Sequence, residues 1–272
     1  MAKKSKHSKV TPSSKVNKKS KPSNNNSTNS SPSSPQTKLS STLISPLNKN
    51  LQSQLYNATN LRTLVPNAVF CATNFFTESE CKAWITKAES EIGFQYVNHP
   101  ATRYIAQREC GRIQETNWDI AEQLFQRMQH FEMMKKINPL IGIDGSGGYL
   151  PMTCNGNIRI YKYEKGMSFG KHVDGSDRIP EVQNGNTEIT VLVYLSSCLG
   201  GATRFYLPFS KNKSKSSKNK EKSGISFVPQ AGAILFHVHG DRCLEHEADP
   251  VLSGIKYVLR TDIVYGNAYN CK

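Results

Sequence analysis

The chain has 272 residues, an apolar fraction of 37% and a formal net charge of +14. The charge is concentrated: residues 1–50 hold ten lysines with no acid and no aromatic ring, residues 210–223 hold six lysines against Glu221, and the remainder is close to neutral. A basic globule is thereby excluded, and so is a chain that spans a membrane on helices, because no apolar run approaches the length a bilayer needs.

Residues 1–55 form a Lys/Ser/Asn-rich tail with runs such as Asn24 to Asn26 and Ser30 to Pro35. Such a segment buries too little apolar surface to offset the entropy of ordering and is expected to be disordered. Its lysines from Lys3 to Lys21, with Lys211 to Lys222 of the second basic run, are the only features that suggest phosphate contacts, and hence a nucleic-acid or ribosome-associated partner. No apolar stretch follows the first charges, and the seven cysteines (71, 81, 110, 154, 198, 243 and 271) are scattered without a CxxC pair. Both features point to reduced thiols in the cytoplasm or nucleus.

Residues 66–140 are expected to form a helical N-terminal part. Thr77 with Glu80 three residues on has the form of a capping box. Behind it Cys81, Trp84, Ile85, Ala88 and Ile92 recur at helical spacing until Gly93. A second helix is expected after Asn117, with Ile120, Ala121, Leu124, Met128 and Phe131 as its apolar stripe. Between the helices, Arg103, Arg108 and Arg112 are candidates for an entrance that receives a substrate.

From residue 141 to 268 the pattern is that of strands. Asn157 to Tyr163 alternates, Thr190 to Leu195 is a continuous β-rich run, and Thr203 to Leu207, Ile225 to Val228, Ala233 to Val238 and Lys256 to Tyr265 follow. Short strands after helices predict an α+β, mainly β chain with a closed or sandwiched antiparallel sheet. The run 210–223 is expected to be a mobile surface loop between two of these strands.

The residues with chemistry are His172, Asp174 and His246. His172 and Asp174 are two apart, so on a strand or at its end they project to one side, and His246 can join them from a later strand. Two histidines and one carboxylate hold Fe(II) on one face and leave open positions for oxygen and a co-substrate. Ten residues past His246, Lys256 opens a strand on which it shares a face with Val258 and Arg260. Either cation could pair with the distal carboxylate of a dicarboxylic acid chelated to the metal, Arg260 as a fork and Lys256 as a point charge. A rival pair, His237 and His239, lacks a basic residue at the matching distance and is assigned to structural or orienting roles.

Tyr163 and Gly166, His172 and Asp174, Tyr194 and Leu195, Gly200, Gly201, Thr203 and Phe205, Pro229 and Gly232, then His246 and Lys256 follow one another in an order that resembles the 2-oxoglutarate and Fe(II)-dependent dioxygenases. Within them the chain is most similar to the prolyl 4-hydroxylase-like branch, over about residues 140 to 266. The resemblance implies a double-stranded β-helix, or jelly roll, with His172, Asp174 and His246 as iron ligands. It places Lys256 at the 2-oxoglutarate carboxylate and Tyr163 and Tyr194 in the co-substrate pocket. It also implies O2 as co-substrate, release of succinate and CO2, hydroxylation of a C–H bond on a protein or peptide, and ascorbate as a candidate accessory.

Overall fold

A computed structural model of the chain describes residues 61–143, 148–208 and 224–267. The basic tail and the loop at 210–223, and with them the phosphate-binding reading, lie outside the described residues. Among those residues no helix is long and apolar enough to cross a membrane.

In chain order the elements are β1 (Arg62–Val65), β2 (Val69–Ala72), α1 (Glu78–Lys87), β3 (Gln95–His99), β4 (Arg108–Thr116), α2 (Trp118–His130), α3 (Met133–Leu140), β5 (Tyr149–Cys154), β6 (Asn157–Tyr163), β7 (Phe169–His172), β8 (Arg178–Ile179), β9 (Gly185–Tyr194), β10 (Leu199–Gly200), β11 (Thr203–Tyr206), β12 (Gly224–Phe227), β13 (Ile234–Val238), β14 (His246–Ala248), β15 (Val251–Ser253) and β16 (Lys256–Asn267). The strands pair antiparallel in the order β1-β2-β13-β9-β16-β6-β4-β7-β14-β11-β12, with β3 on β4, β5 on β16 and β8 on β9. The sheet nearly closes on itself as a jelly roll, which removes most of its exposed edges.

The helix starts are explained by their caps. The Thr77 hydroxyl accepts the Glu80 N–H, and the Glu80 carboxylate accepts the Thr77 N–H at 2.8 Å. α1 then buries Cys81 and Trp84 and passes into a π-helical turn at Ala88–Ile92, which Gly93 ends at φ 80° by donating its N–H to the Ala88 carbonyl. α2 is capped by Asn117, whose side chain accepts the Ile120 N–H at 2.9 Å, and it buries Ile120, Ala121, Leu124 and Met128 against the sheet.

Two features of 66–140 depart from a simply helical segment. The stretch between the helices forms the β3–β4 hairpin, with Arg108 at the start of β4. Beyond α2, Glu132 takes a left-handed conformation at φ 53° and starts α3, which buries Met133, Met134 and Ile137. β6 is buried on both faces rather than alternating: Ile158 and Ile160 enter the main core, and Tyr161 and Tyr163 join a smaller cluster with Cys110 and Val251.

Candidate active site

β7 and β14 are neighbours, and their register sets His172 opposite His246, with ring centroids 4.2 Å apart. Asp174 follows β7 by two residues. Its backbone N–H donates to Cys243 Sγ at 3.2 Å, which ties the end of β7 to the segment entering β14. One donor atom each from His172, Asp174 and His246 lies within 4.8 Å of the other two.

The hydrogen bonds fix the histidine tautomers. His172 Nδ1 is 2.8 Å from the Gly170 carbonyl and His246 Nδ1 is 2.9 Å from the Leu244 carbonyl. A carbonyl can only accept, so each Nδ1 carries the proton and each Nε2 lone pair is left for a metal. The Nε2 atoms stand 3.8 and 3.9 Å from the Asp174 carboxylate. Burial, helped by the neighbouring His246, pushes His172 down to about 3, and burial lowers His246 as well. Burial works against ionisation of Asp174, yet Arg260 and the three histidines around it hold the carboxyl well below its usual range. Two neutral imidazoles and an ionised carboxylate are the protonation states a divalent ion requires, so these residues fit Fe(II).

The two candidate cations on β16 have different partners. Arg260 lies 2.9 Å from Asp174 Oδ2 and 3.5 Å from Asp262 Oδ1, so its charge is already matched. Lys256 is 2% exposed, and its ammonium donates to the Gly201 carbonyl at 2.7 Å and lies over the rings of Tyr163 and Tyr194. Among the described residues no carboxylate pairs with it. Gly201 stands at φ 63°, where a Cβ would come within 3.2 Å of Lys256 Cδ, so glycine both allows the turn and leaves the lysine its room.

The cleft is lined by Tyr161, Tyr163, Phe169, His172, Asp174, Thr190, Leu192, Thr203, His237, His246, Glu247, Ala248, Lys256, Val258 and Arg260. Tyr163 is therefore a wall of the cleft. Tyr194 stands behind it, with its hydroxyl 2.7 Å from the Thr203 hydroxyl. Arg108 packs its guanidinium over Phe169 at 3.9 Å and Arg112 lies 6.0 Å over Tyr161, both against walls of the cleft. Arg103 instead lies beside exposed Tyr104 and is not among the lining residues.

Two contributors, Phe169 and Thr190, stand outside the candidate residues of the sequence. Phe169 stacks on the His172 ring at 3.7 Å and 18° and holds its plane. The Thr190 hydroxyl is 2.7 Å from both Asp174 Oδ2 and His239 Nε2. His239 thus has the orienting place expected of it. His237 does not fit that description, because it faces the cleft and neither ring nitrogen has a hydrogen-bond partner. Only the pairing of β13 with β9, which sets His237 opposite Thr190, brings it there.

Among solved structures, the chain is similar to a viral collagen prolyl hydroxylase of Paramecium Bursaria Chlorella virus-1 in its 2OG complex (17% identity, 73% of this chain and 96% of that one, TM-score 0.45). It is also similar to a Pseudomonas putida prolyl-4-hydroxylase (15%, 72% and 92%, 0.44). A third is a Trichoplax adhaerens prolyl hydroxylase in complex with a hypoxia inducible factor oxygen degradation domain peptide fragment (16%, 81% and 94%, 0.47). A comparison with curated proteins gives no match. Residues 158–261 match the model of the 2OG-Fe(II) oxygenase superfamily, a span that begins on β6 and takes in β7, β14 and the cationic face of β16. The span holds His172, Asp174, His246, Lys256 and Arg260, and over it the chain is similar to the Fe(II)- and 2-oxoglutarate-dependent oxygenases.

Proposed function

We propose that His172, Asp174 and His246 hold Fe(II), that Lys256 receives the distal carboxylate of 2-oxoglutarate, and that the enzyme hydroxylates a C–H bond of a protein side chain in the manner of a prolyl hydroxylase. The observation that carries the reading is Lys256: a buried ammonium with no carboxylate partner among the described residues, in the same cleft as the three donors. A buried cation is costly until an anion joins it, so the cleft selects an acid.

With Fe(II) bound, the site supplies oxygen activation coupled to decarboxylation of the 2-oxo acid, with succinate and CO2 as products. The chain's own residues set the geometry. Lys256 orients the acid from the far end, with Thr203 beside it, and Leu192, Ala248 and Val258 keep water from the cleft. Arg260 and Thr190 hold Asp174, and Phe169 holds His172.

The peptide reading rests on the ordered prolyl 4-hydroxylase-like landmarks of the sequence and on the aromatic and guanidinium wall made by Tyr161, Phe169, Arg108 and Arg112. The six described cysteines are all free, as a cytoplasmic or nuclear enzyme would keep them.

The test is 2-oxoglutarate turnover with Fe(II) and oxygen, followed by mass spectrometry of treated cell extract for peptides heavier by one oxygen atom. Succinate release that depends on iron and is lost in His172→Ala and Asp174→Ala is expected. Succinate release at the wild-type rate from either variant would overturn the ligand assignment, and oxygen appearing only on small molecules would overturn the protein substrate.

A further inference from the structure

His237 is 2% exposed, yet neither of its ring nitrogens has a hydrogen-bond partner. A buried imidazole in that condition costs free energy unless something else engages it, so the ring is placed for a ligand. Its Nε2 stands 3.5 Å from Asp174 Oδ2, and its ring centroid is 4.5 Å from that of His246.

Cys243 lies on the same side. Its sulfur accepts the Asp174 N–H at 3.2 Å and donates weakly to the Leu244 carbonyl at 3.6 Å, the same carbonyl that takes the His246 Nδ1 proton. One donor atom each from His237, Cys243 and His246 lies within 4.8 Å of the other two. Ligand atoms around a tetrahedral zinc-type ion, with bonds of roughly 2.0–2.3 Å, sit about 3.5 Å apart, so small side-chain rotations close the set.

We propose that His237, Cys243 and His246 form a second metal set that binds a thiophilic divalent ion of the zinc type and shares His246 with the iron set, so that the two ions exclude one another. The donors decide the class of ion. A thiolate with two imidazoles favours zinc-like ions over iron, whereas two imidazoles with a carboxylate and open positions suit Fe(II). On binding, the sulfur–metal bond replaces the S–H bond and the proton leaves to solvent. The ion in this set withdraws His246 from iron and so switches the oxygenase off by competition for one ligand.

The probe is Co(II), added without oxygen to the full chain stripped of metal, because sulfur ligation gives a charge-transfer band in the near ultraviolet that nitrogen and oxygen ligands do not. His172→Ala, which disables the iron set, is expected to bind one cobalt with that band. His172→Ala/Cys243→Ser is expected to lose the band while keeping the fold, checked by circular dichroism. Absence of the band in His172→Ala, or its survival without Cys243, overturns the proposal. For the shared ligand, Cys243→Ser alone is expected to need at least ~tenfold more zinc than wild type to suppress turnover, the change that loss of one good ligand brings. An unchanged requirement would show that zinc acts elsewhere. The cobalt band needs no turnover, so its failure leaves the oxygenase reading intact, and a failure of turnover leaves the band.

Discussion

The Arg260 guanidinium lies 2.9 Å from Asp174 Oδ2 and 3.5 Å from Asp262 Oδ1, and both carboxylates are buried. It is the counter-charge of Asp174 when no metal is bound, whereas Asp262 is also paired with Arg159 at 2.5 Å. A divalent ion on Asp174 takes over part of that task, so loss of Arg260 costs the metal-free chain more than the loaded one. Arg260→Met is expected to destabilise the metal-free protein by about 3–5 kcal/mol, the usual result of leaving a buried charge alone. Mn(II) should raise the melting temperature of the variant by more than it raises that of wild type. An equal or smaller shift would mean that Asp174 draws its compensation from another group.

Lys256 gives the site a pH dependence with a definite sign. Burial pushes its ammonium down to about 8, so below that pH it carries the charge that a carboxylate needs, and above it the charge is lost. The dissociation constant for 2-oxoglutarate, measured on Mn(II)-loaded enzyme between pH 7 and 9.5, is expected to rise above about pH 8 with a slope approaching tenfold per unit. Lys256→Arg should flatten that rise, since a guanidinium stays charged throughout, even if the longer fork binds less well. A level wild-type profile would remove Lys256 from the carboxylate.

Phe169 stacks on His172 at 3.7 Å while Arg108 covers the ring at 3.9 Å, a sandwich that fixes the plane of one metal ligand. Phe169→Ala is therefore expected to weaken metal binding by about 10–100-fold, the usual effect of losing a residue that orients a ligand. Competition with a fluorescent chelator measures it. Affinity equal to wild type would show that the Gly170 carbonyl alone is enough to hold His172.

What could be read from the sequence is what depends on local spacing. His172 and Asp174 declare themselves by a separation of two, Lys256 by its distance from His246, and both long helix starts by their caps. What could not be read depends on which strands meet. Arg260 and Lys256 share a face of β16, but only the lie of Asp174 against that face decides that Arg260 is spent on a carboxylate and Lys256 is not. Nothing in the local sequence of His237 marks it as a cleft residue, because its entry into the cleft follows from the pairing of β13 with β9. The β3–β4 hairpin has no strand pattern in its sequence, because Arg108, Glu109, Arg112 and Gln114 break any apolar alternation and only Cys110, Gly111 and Ile113 of β4 are buried.

The capping box of α1 carries a second duty that its sequence pattern does not reveal. Glu80 caps the Thr77 N–H and also takes a two-pronged bond from Arg127 of α2, at 2.6 and 3.0 Å. Arg127 is 2% exposed, with its guanidinium over the rings of Phe75 and Phe76. Thr77→Ala removes one cap and is expected to cost about 1 kcal/mol. Glu80→Ala removes a cap and strands a buried guanidinium, and is expected to cost about 3–5 kcal/mol. Glu80→Ala/Arg127→Met should recover a large part of that loss, because the methionine leaves no charge to strand and keeps contact with the two phenylalanines. Urea unfolding of the three variants measures the order. If Glu80→Ala proves no worse than Thr77→Ala, the aromatic rings alone suffice to hold the Arg127 charge, and the ion pair adds geometry rather than stability.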